Sequence, residues 1–449
     1  MAQNSTVNEL SLSDSDLKLL PWHGITNVQY TFLSVILAAL TPCFQHGSTF
    51  RRGALLLQIT CVVQAFFAPP PPQETSTAVL YTSGVLMGVI AARSFDRLYI
   101  HVPEETFHRI NKTGEKEDAK TLSSWQKFLW GLELMLTTRG IGWDWKVSGI
   151  PKHPPQSRRE FLKTRLLKWT LLYIGLTLTT IISQTILEEF SGVSNDNLRE
   201  FLVAATSNNI SLYAIIALGW TMTVYSHFGI LMLPLGFLCV GFNIGPKTWQ
   251  EVEAWPPNFE VLNLAYSIRR LWGNVWHQQL RRVAAAPGAF VLAYLPLSIR
   301  KSNSLPGRLF RRYFLVFGSF FISGVIHSCG TYNVTRALNL PISTGGDLYF
   351  YLLQCAGILG EDLICHLLGV DDRLNQPSTL RRTLGYTATA AFYVWSRVAY
   401  KGIPISMAQG YKDDRGLLFA ALKHMADGAY AVPGNWFRFG YEFFESSSR

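Results

Sequence analysis

Apolar residues in this chain gather into long runs instead of alternating with polar ones. A helix that crosses a bilayer needs roughly 20 mostly apolar residues. Eight runs meet or approach that length: Ile25 to Phe44, Gly53 to Ala68, Ala78 to Ala92, Leu166 to Leu187, Ile210 to Phe242, Tyr313 to Thr331, Leu348 to Leu368 and Thr383 to Tyr400. The run from Ile210 exceeds one crossing and contains Pro234, which suits either a tilted helix or a pair broken at the proline. Trp125 to Leu136, Gly288 to Leu297 and Gly416 to Val432 are shorter and fit interfacial or re-entrant pieces. The pattern predicts an all-α, polytopic integral membrane protein. Its bundle would hold about eight to ten transmembrane helices plus interfacial ones. No repeat or soluble second domain interrupts it, so residues 1–449 read as a single membrane-embedded domain. Met1 to Leu20 is polar and mildly acidic, unlike a cleaved signal peptide.

Composition agrees. Only 16% of residues are charged, against about 25% in soluble domains. The six cysteines all lie in or beside apolar runs with no CxxC pair, so they read as small hydrophobes and not as bridges or metal ligands. Charge sets the orientation. When sides alternate across eight spans, 30 of the 40 Lys and Arg residues fall on one side. The positive-inside bias assigns that side to the cytosol. The net charge of +10 is then topological. Nucleic-acid binding is a poor fit, because the basic residues flank spans instead of forming one tract.

Ionisable groups within apolar runs are costly and therefore candidates for function. Of ten histidines, only His227, His327 and His366 lie within such runs. His327 is the most central, on a segment rich in Gly and Ser that would let a backbone or a ligand approach closely. Two readings stand on position alone. One is a packing histidine bonded to a neighbouring carbonyl; the other is a neutral imidazole able to take a proton from an alcohol. Ser267 to Arg282 carries apolar residues at helical spacing (Ile268, Leu271, Trp272, Val275, Trp276) bracketed by arginines. It predicts an amphipathic interfacial helix, on which Asn274 and His277 share a face beside Gln278. Glu361 and Asp362 sit within an apolar run. They would steady a histidine, pair with Arg397 or end their helix. Arg139-Gly-Ile-Gly-Trp-Asp-Trp-Lys146 predicts a rigid interfacial turn. Histidine boxes of a di-iron desaturase, a GxSxG elbow, a Walker loop, GxGxxG and zinc spacing are all missing from the sequence.

Three of these elements together resemble the wax-synthase-like branch of the membrane-bound O-acyltransferases (MBOAT), in particular its fungal members that acetylate terpenoid and meroterpenoid alcohols. Arg139-Gly-Ile-Gly-Trp-Asp-Trp145 is similar to that branch's RGIGWxW element. Leu271-Trp-Gly-Asn-Val-Trp-His277-Gln is similar to FWGxxWH(N), and Ser323-Gly-Val-Ile-His327 to SGxxH. Glu361 sits where the branch carries a glutamate in the next span. The likeness covers residues 139–362. It departs where Asn274 and Val275 replace an arginine pair often seen after WG.

What the resemblance implies is an acyl-CoA:alcohol O-acyltransferase of secondary metabolism in the endoplasmic reticulum. His327 and His277 would be catalytic. Asn274, Trp276, Gln278, Ser323 and Glu361 would support them or bind substrate. Acetyl-CoA, or another acyl-CoA, would be a co-substrate, with no permanent cofactor and no metal. The other partners would be membrane lipid and a hydrophobic alcohol entering from the bilayer. A long-chain wax-ester synthase is the alternative within the class. A transporter or lipid-binding scaffold is the alternative outside it.

Overall fold

The computed structural model describes residues 25–71, 77–111, 113–151, 156–191, 210–259, 262–338, 345–369 and 378–398. Its long helices are α1 (Asn27–Leu40), α2 (Thr49–Phe67), α3 (Thr77–Ser94), α4 (Ser124–Leu136), α5 (Arg158–Ser191), α6 (Ile210–Phe242), α7 (Arg281–Tyr294), α8 (Leu305–Ala337), α9 (Gly345–Leu367) and α10 (Thr379–Val398). A helix occupies most of each of the eight apolar runs as far as it is described, and no β-strand forms among the described residues. Two isolated bridges, Arg109 with Trp143 and Ile110 with Lys116, are the whole of the extended pairing there. Pro234 is accommodated inside α6, so the long run is one helix. By length and composition, Thr49–Phe67, Val224–Phe242, Leu305–Ala337 and Gly346–Leu367 suffice to cross a membrane, and Asn27–Cys43 is a shorter apolar helix. The shorter candidates Trp125 to Leu136 and Gly288 to Leu297 fall in α4 and α7. Met1 to Leu20 and Gly416 to Val432 lie outside the described residues.

Local chemistry marks the helix ends. Thr26 with Gln29 and Ser123 with Gln126 form capping boxes at α1 and α4. Ser48 and Ser304 accept backbone N–H groups at the starts of α2 and α8. The proline run from Pro69 holds Ala68 extended and stops α2.

Helix α8 is the hub, packed on α3, α7 and α9. Its glycines explain how. A Cβ on Gly318 would meet the Gly288 backbone of α7, one on Gly324 the Leu348 backbone of α9, and one on Gly330 the Tyr81 ring of α3. Three glycines at intervals of six thus let α7 and α9 approach to backbone distance and seat the Tyr81 ring of α3. Polar ties lock this arrangement. Asn333 donates to the Leu80 carbonyl at 2.7 Å and to Ser83 Oγ at 2.8 Å, and Asn27 of α1 donates to Asn333. On the facing side of α3, a Cβ at Gly84 would collide with the Cys329 carbonyl oxygen. Gly84→Leu is therefore expected to push α3 off α8 and cost about 1–3 kcal/mol. An unchanged Tm of the detergent-solubilised variant would count against this close approach.

Candidate active site

Among the described residues two segments wind as π turns, Phe95–Tyr99 and Leu271–Val275, and the second shapes the site. After Ser267 caps a short turn (Ile268–Arg270), residues Leu271–Val275 form a π turn that ends at Trp276. His277 lies beyond it in the non-helical connection to α7. The expected amphipathic helix over 267–282 is thus corrected. Its tryptophans are not an interfacial anchor. Trp272 packs on Phe320, Phe350 and Tyr351 at 5.8–6.2 Å and donates its indole N–H to Gln354 at 3.1 Å.

The cause is a set of caps that the helical pattern does not encode. Glu361 of α9 accepts the backbone N–H groups of Ile268 and Arg269, both at 3.1 Å. Asp362 holds Arg269 and also accepts from Arg312 and from Tyr313, the last at 2.6 Å. Gln278 donates to the carbonyls of Trp276 and Trp272, while Arg281 holds the Gly273 carbonyl. These carbonyls find their donors outside a helical ladder, so the chain leaves the helix before His277. π turns of this kind recur at functional sites.

The consequences for the predicted residues differ. His277 is buried, packed on Phe228 at 4.4 Å between centroids with the rings tilted by 31°, and edge-on to Phe259. Its Nδ1 is buried with no hydrogen-bond partner among the described residues. Burial, then the nearness of His327 and Arg139, pushes its imidazole down to about 3. Trp276 lines the same space. Asn274 is exposed and shares no helix face with His277. Gln278 and Glu361 hold the turn, and Glu361 caps backbone instead of steadying a histidine.

His327 is half-buried on α8. Its Nδ1 bonds the Ser323 carbonyl at 2.7 Å. A carbonyl only accepts, so Nδ1 carries the proton and the lone pair of the neutral ring sits on Nε2. The Tyr351 hydroxyl lies 3.0 Å from that Nε2. Ser323 therefore contributes through its backbone. Tyr351 escaped the sequence reading because a tyrosine in an apolar run carries no signal without its partner.

His277, His327 and Tyr351 all line one cavity of about 550 Å³. One stretch of its wall is apolar, with Val85 and Val89 of α3 and Phe228 and Leu231 of α6; His227 of α6 also lines it. The other stretch is cationic. Arg93, Arg139 and Arg165 line it, and no Asp or Glu does among the described residues. Arg139 donates to the Pro256 and Pro257 carbonyls, and Arg165 to the Trp255 carbonyl at 2.6 Å. Arg93 Nε, Arg165 Nε and Thr137 Oγ1 are buried without a partner among the described residues. Donors left unmet in a cavity wall suit a ligand that brings acceptors or negative charge. The turn beginning at Arg139 is real: Gly140 and Gly142 take φ of +65° and +79°, and Trp143 is buried against Trp130. No three His, Cys, Asp or Glu side chains among the described residues group to hold a metal ion.

Comparison with known proteins points the same way. The profile of the "Membrane bound O-acyl transferase family" matches residues 255–352. "O-Mevalon transferase macI" of Penicillium terrestre is 51% identical over 414 residues, spanning 92% of this chain and 94% of that protein. "O-Mevalon transferase yanI" of Aspergillus niger is 48% identical over 420 residues, 92% of this chain and 93% of that one. "Acetyltransferase eriL" of Hericium erinaceus is 30% identical over 290 residues, 63% and 68% of the two chains. No solved structure matches.

Proposed function

Because this chain belongs to the membrane bound O-acyl transferase family, we propose that it transfers an acyl group from an acyl-CoA to a hydroxyl of an apolar, terpenoid-type alcohol. His327 is the base and His277 the donor to the oxyanion. The observation that carries this reading is the His327 ring, with Nδ1–H tied to the Ser323 carbonyl and the lone pair on Nε2, in a cavity wall shared with His277. The alcohol oxygen attacks the thioester carbon as a proton is taken up at Nε2 of His327. His277 donates to the oxygen that becomes negative. The carbon–sulfur bond then breaks, and the imidazolium returns the proton to the thiolate, giving ester and free CoA.

The rest of the cavity fits both substrates. Its apolar stretch suits a terpenoid chain, and its arginines suit the anionic end of CoA. The endoplasmic reticulum is the proposed location, with the basic loops in the cytosol where CoA is dissolved. For the acyl group the relatives divide. Those at 51% and 48% identity are named for mevalon, and the one at 30% for acetyl. Mevalon, with two hydroxyls, is the first choice, because the unmet donors of Arg93 and Thr137 suit oxygen-bearing chains. Acetyl is the second.

Microsomes containing the full chain, supplied with labelled mevalonyl-CoA, acetyl-CoA or palmitoyl-CoA and a panel of terpenoid and fatty alcohols, test the proposal. Ester is expected from mevalonyl-CoA above acetyl-CoA, on terpenoid alcohols. Ester formed best from palmitoyl-CoA would point to wax-ester synthesis. No ester from any donor would point to a scaffold or transporter.

A further inference from the structure

The base in this site is not open to the acceptor. A neutral His327 has one lone pair, on Nε2, and the Tyr351 hydroxyl occupies its hydrogen-bonding position at 3.0 Å. The phenol must be the donor in that bond, because Nε2 has no proton to give while Nδ1 holds one for Ser323. The contact is built in, not incidental. Gly324, three residues before His327, is where α9 comes close enough: a Cβ there would lie 2.8 Å from Leu348 Cα and 3.4 Å from Tyr351 Cβ. The two rings then sit 4.6 Å apart at 34°. Tyr351 is wedged between Phe350 and Trp272, and Gln354 holds the Trp272 indole. Tyr351 is 3% exposed, so its ring has little room to swing aside. Its hydroxyl, once donating to Nε2, still has lone pairs with which to accept.

Resting on the reading of His327 as the base, we propose that Tyr351 is a catalytic residue that relays the proton from the acceptor alcohol to His327. The alcohol donates its O–H to Tyr351 Oη as the Tyr351 proton moves to His327 Nε2. The alcohol oxygen meanwhile forms its bond to the thioester carbon. Tyr351 ends the step as a phenol carrying the acceptor's proton, and no phenolate is left behind. His327, now protonated on both nitrogens, protonates the sulfur as the carbon–sulfur bond breaks. If the proton leaves through Nε2, it returns by the same phenol and restores the starting pair. A phenol is a far stronger acid than an alkanol and a weaker one than imidazolium. Imidazolium is the strongest acid of the three, so the transfers run uphill until the new carbon–oxygen bond makes the alcohol proton acidic, and the phenol divides that climb into two smaller steps.

The test uses the full chain in microsomes with the acyl-CoA and alcohol that give ester. Tyr351→Phe keeps the ring and removes the hydroxyl. Its kcat is expected to fall about 10²-fold, the low end of a general acid–base contribution, with KM for acyl-CoA unchanged. In an H327A background the same change is expected to cost nothing further, because the two groups act as one unit. Fluorinated tyrosines at position 351 keep the shape and alter the acidity of the phenol, so kcat is expected to track that acidity, as a packing role would not. Should the Phe variant fail to accumulate, the fluorotyrosine series decides. Wild-type kcat in Tyr351→Phe, independent losses in the double variant, or one rate across the fluorinated series would each overturn the relay. Full activity in H327A would instead overturn the parent reading.

Discussion

His327→Ala is expected to lower kcat for ester formation by about 10²–10⁴, the range that a positioned general base contributes. The loss should be in the chemical step. The imidazole is fixed by the Ser323 carbonyl on one nitrogen and the Tyr351 hydroxyl on the other, which specifies a proton path more than a surface for binding CoA. KM for acyl-CoA should therefore hold while kcat falls, the signature of an interaction made mainly in the transition state. The fold should survive, because the close backbone approaches of α8 are made at Gly318 and Gly324 and its polar ties at Asn333, while His327 adds contacts with Tyr351 and Tyr81. An equal level of folded H327A that forms ester at the parent rate would sink the assignment.

His277→Ala is expected to cost about 10²–10³ in kcat, or about 2.7–4 kcal/mol, as for other single oxyanion donors. His277→Asn should keep part of the activity, since an amide N–H can take the same place. Acid stability supplies an independent readout. The His277 imidazole is pushed down to about 3 by burial in its non-helical connection, against about 6.5 in the unfolded chain. Its contribution to stability is therefore complete above about pH 6.5 and is lost as pH falls from there toward 3. Over that window Tm should drop less in His277→Asn than in the parent. Parallel acid profiles would mean that the ring is hydrated, and the oxyanion role would lose its physical basis.

How much of this was legible beforehand differs by element. His327 stood out because an imidazole in an apolar run is costly and needs a reason. His277 stood out through its motif, yet the helix drawn around it was wrong. Helical periodicity from Ile268 to Trp276 was real, but it could not show Glu361 and Gln278 taking over the backbone hydrogen bonds. That exchange ends the helix, leaves the tryptophans half-buried, with Trp272 against α8 and α9, and keeps Asn274 outside. Glu361, expected to steady a histidine, pair with Arg397 or end its own helix, instead caps the backbone of the turn at Ile268 and Arg269. Nothing in the sequence around Arg93 and Arg165 singles them out. Only the folded chain brings them to one cavity wall with Arg139.

What the sequence determined by itself was the set of helices, all-α and apolar, and the histidine at the middle of one. Transfer of apolar side chains out of water is additive and local along the chain, so a run of about 20 residues declares itself without neighbours. What only the tertiary structure decided was which polar atoms meet. Ser323, His327 and Tyr351 form a line because Gly324 lets two helices touch, and His277 turns inward because a carboxylate 84 residues away caps its turn. Hydrogen bonds act over about 3 Å and depend on direction, so they are set by the approach of distant segments and leave no trace in the spacing of either.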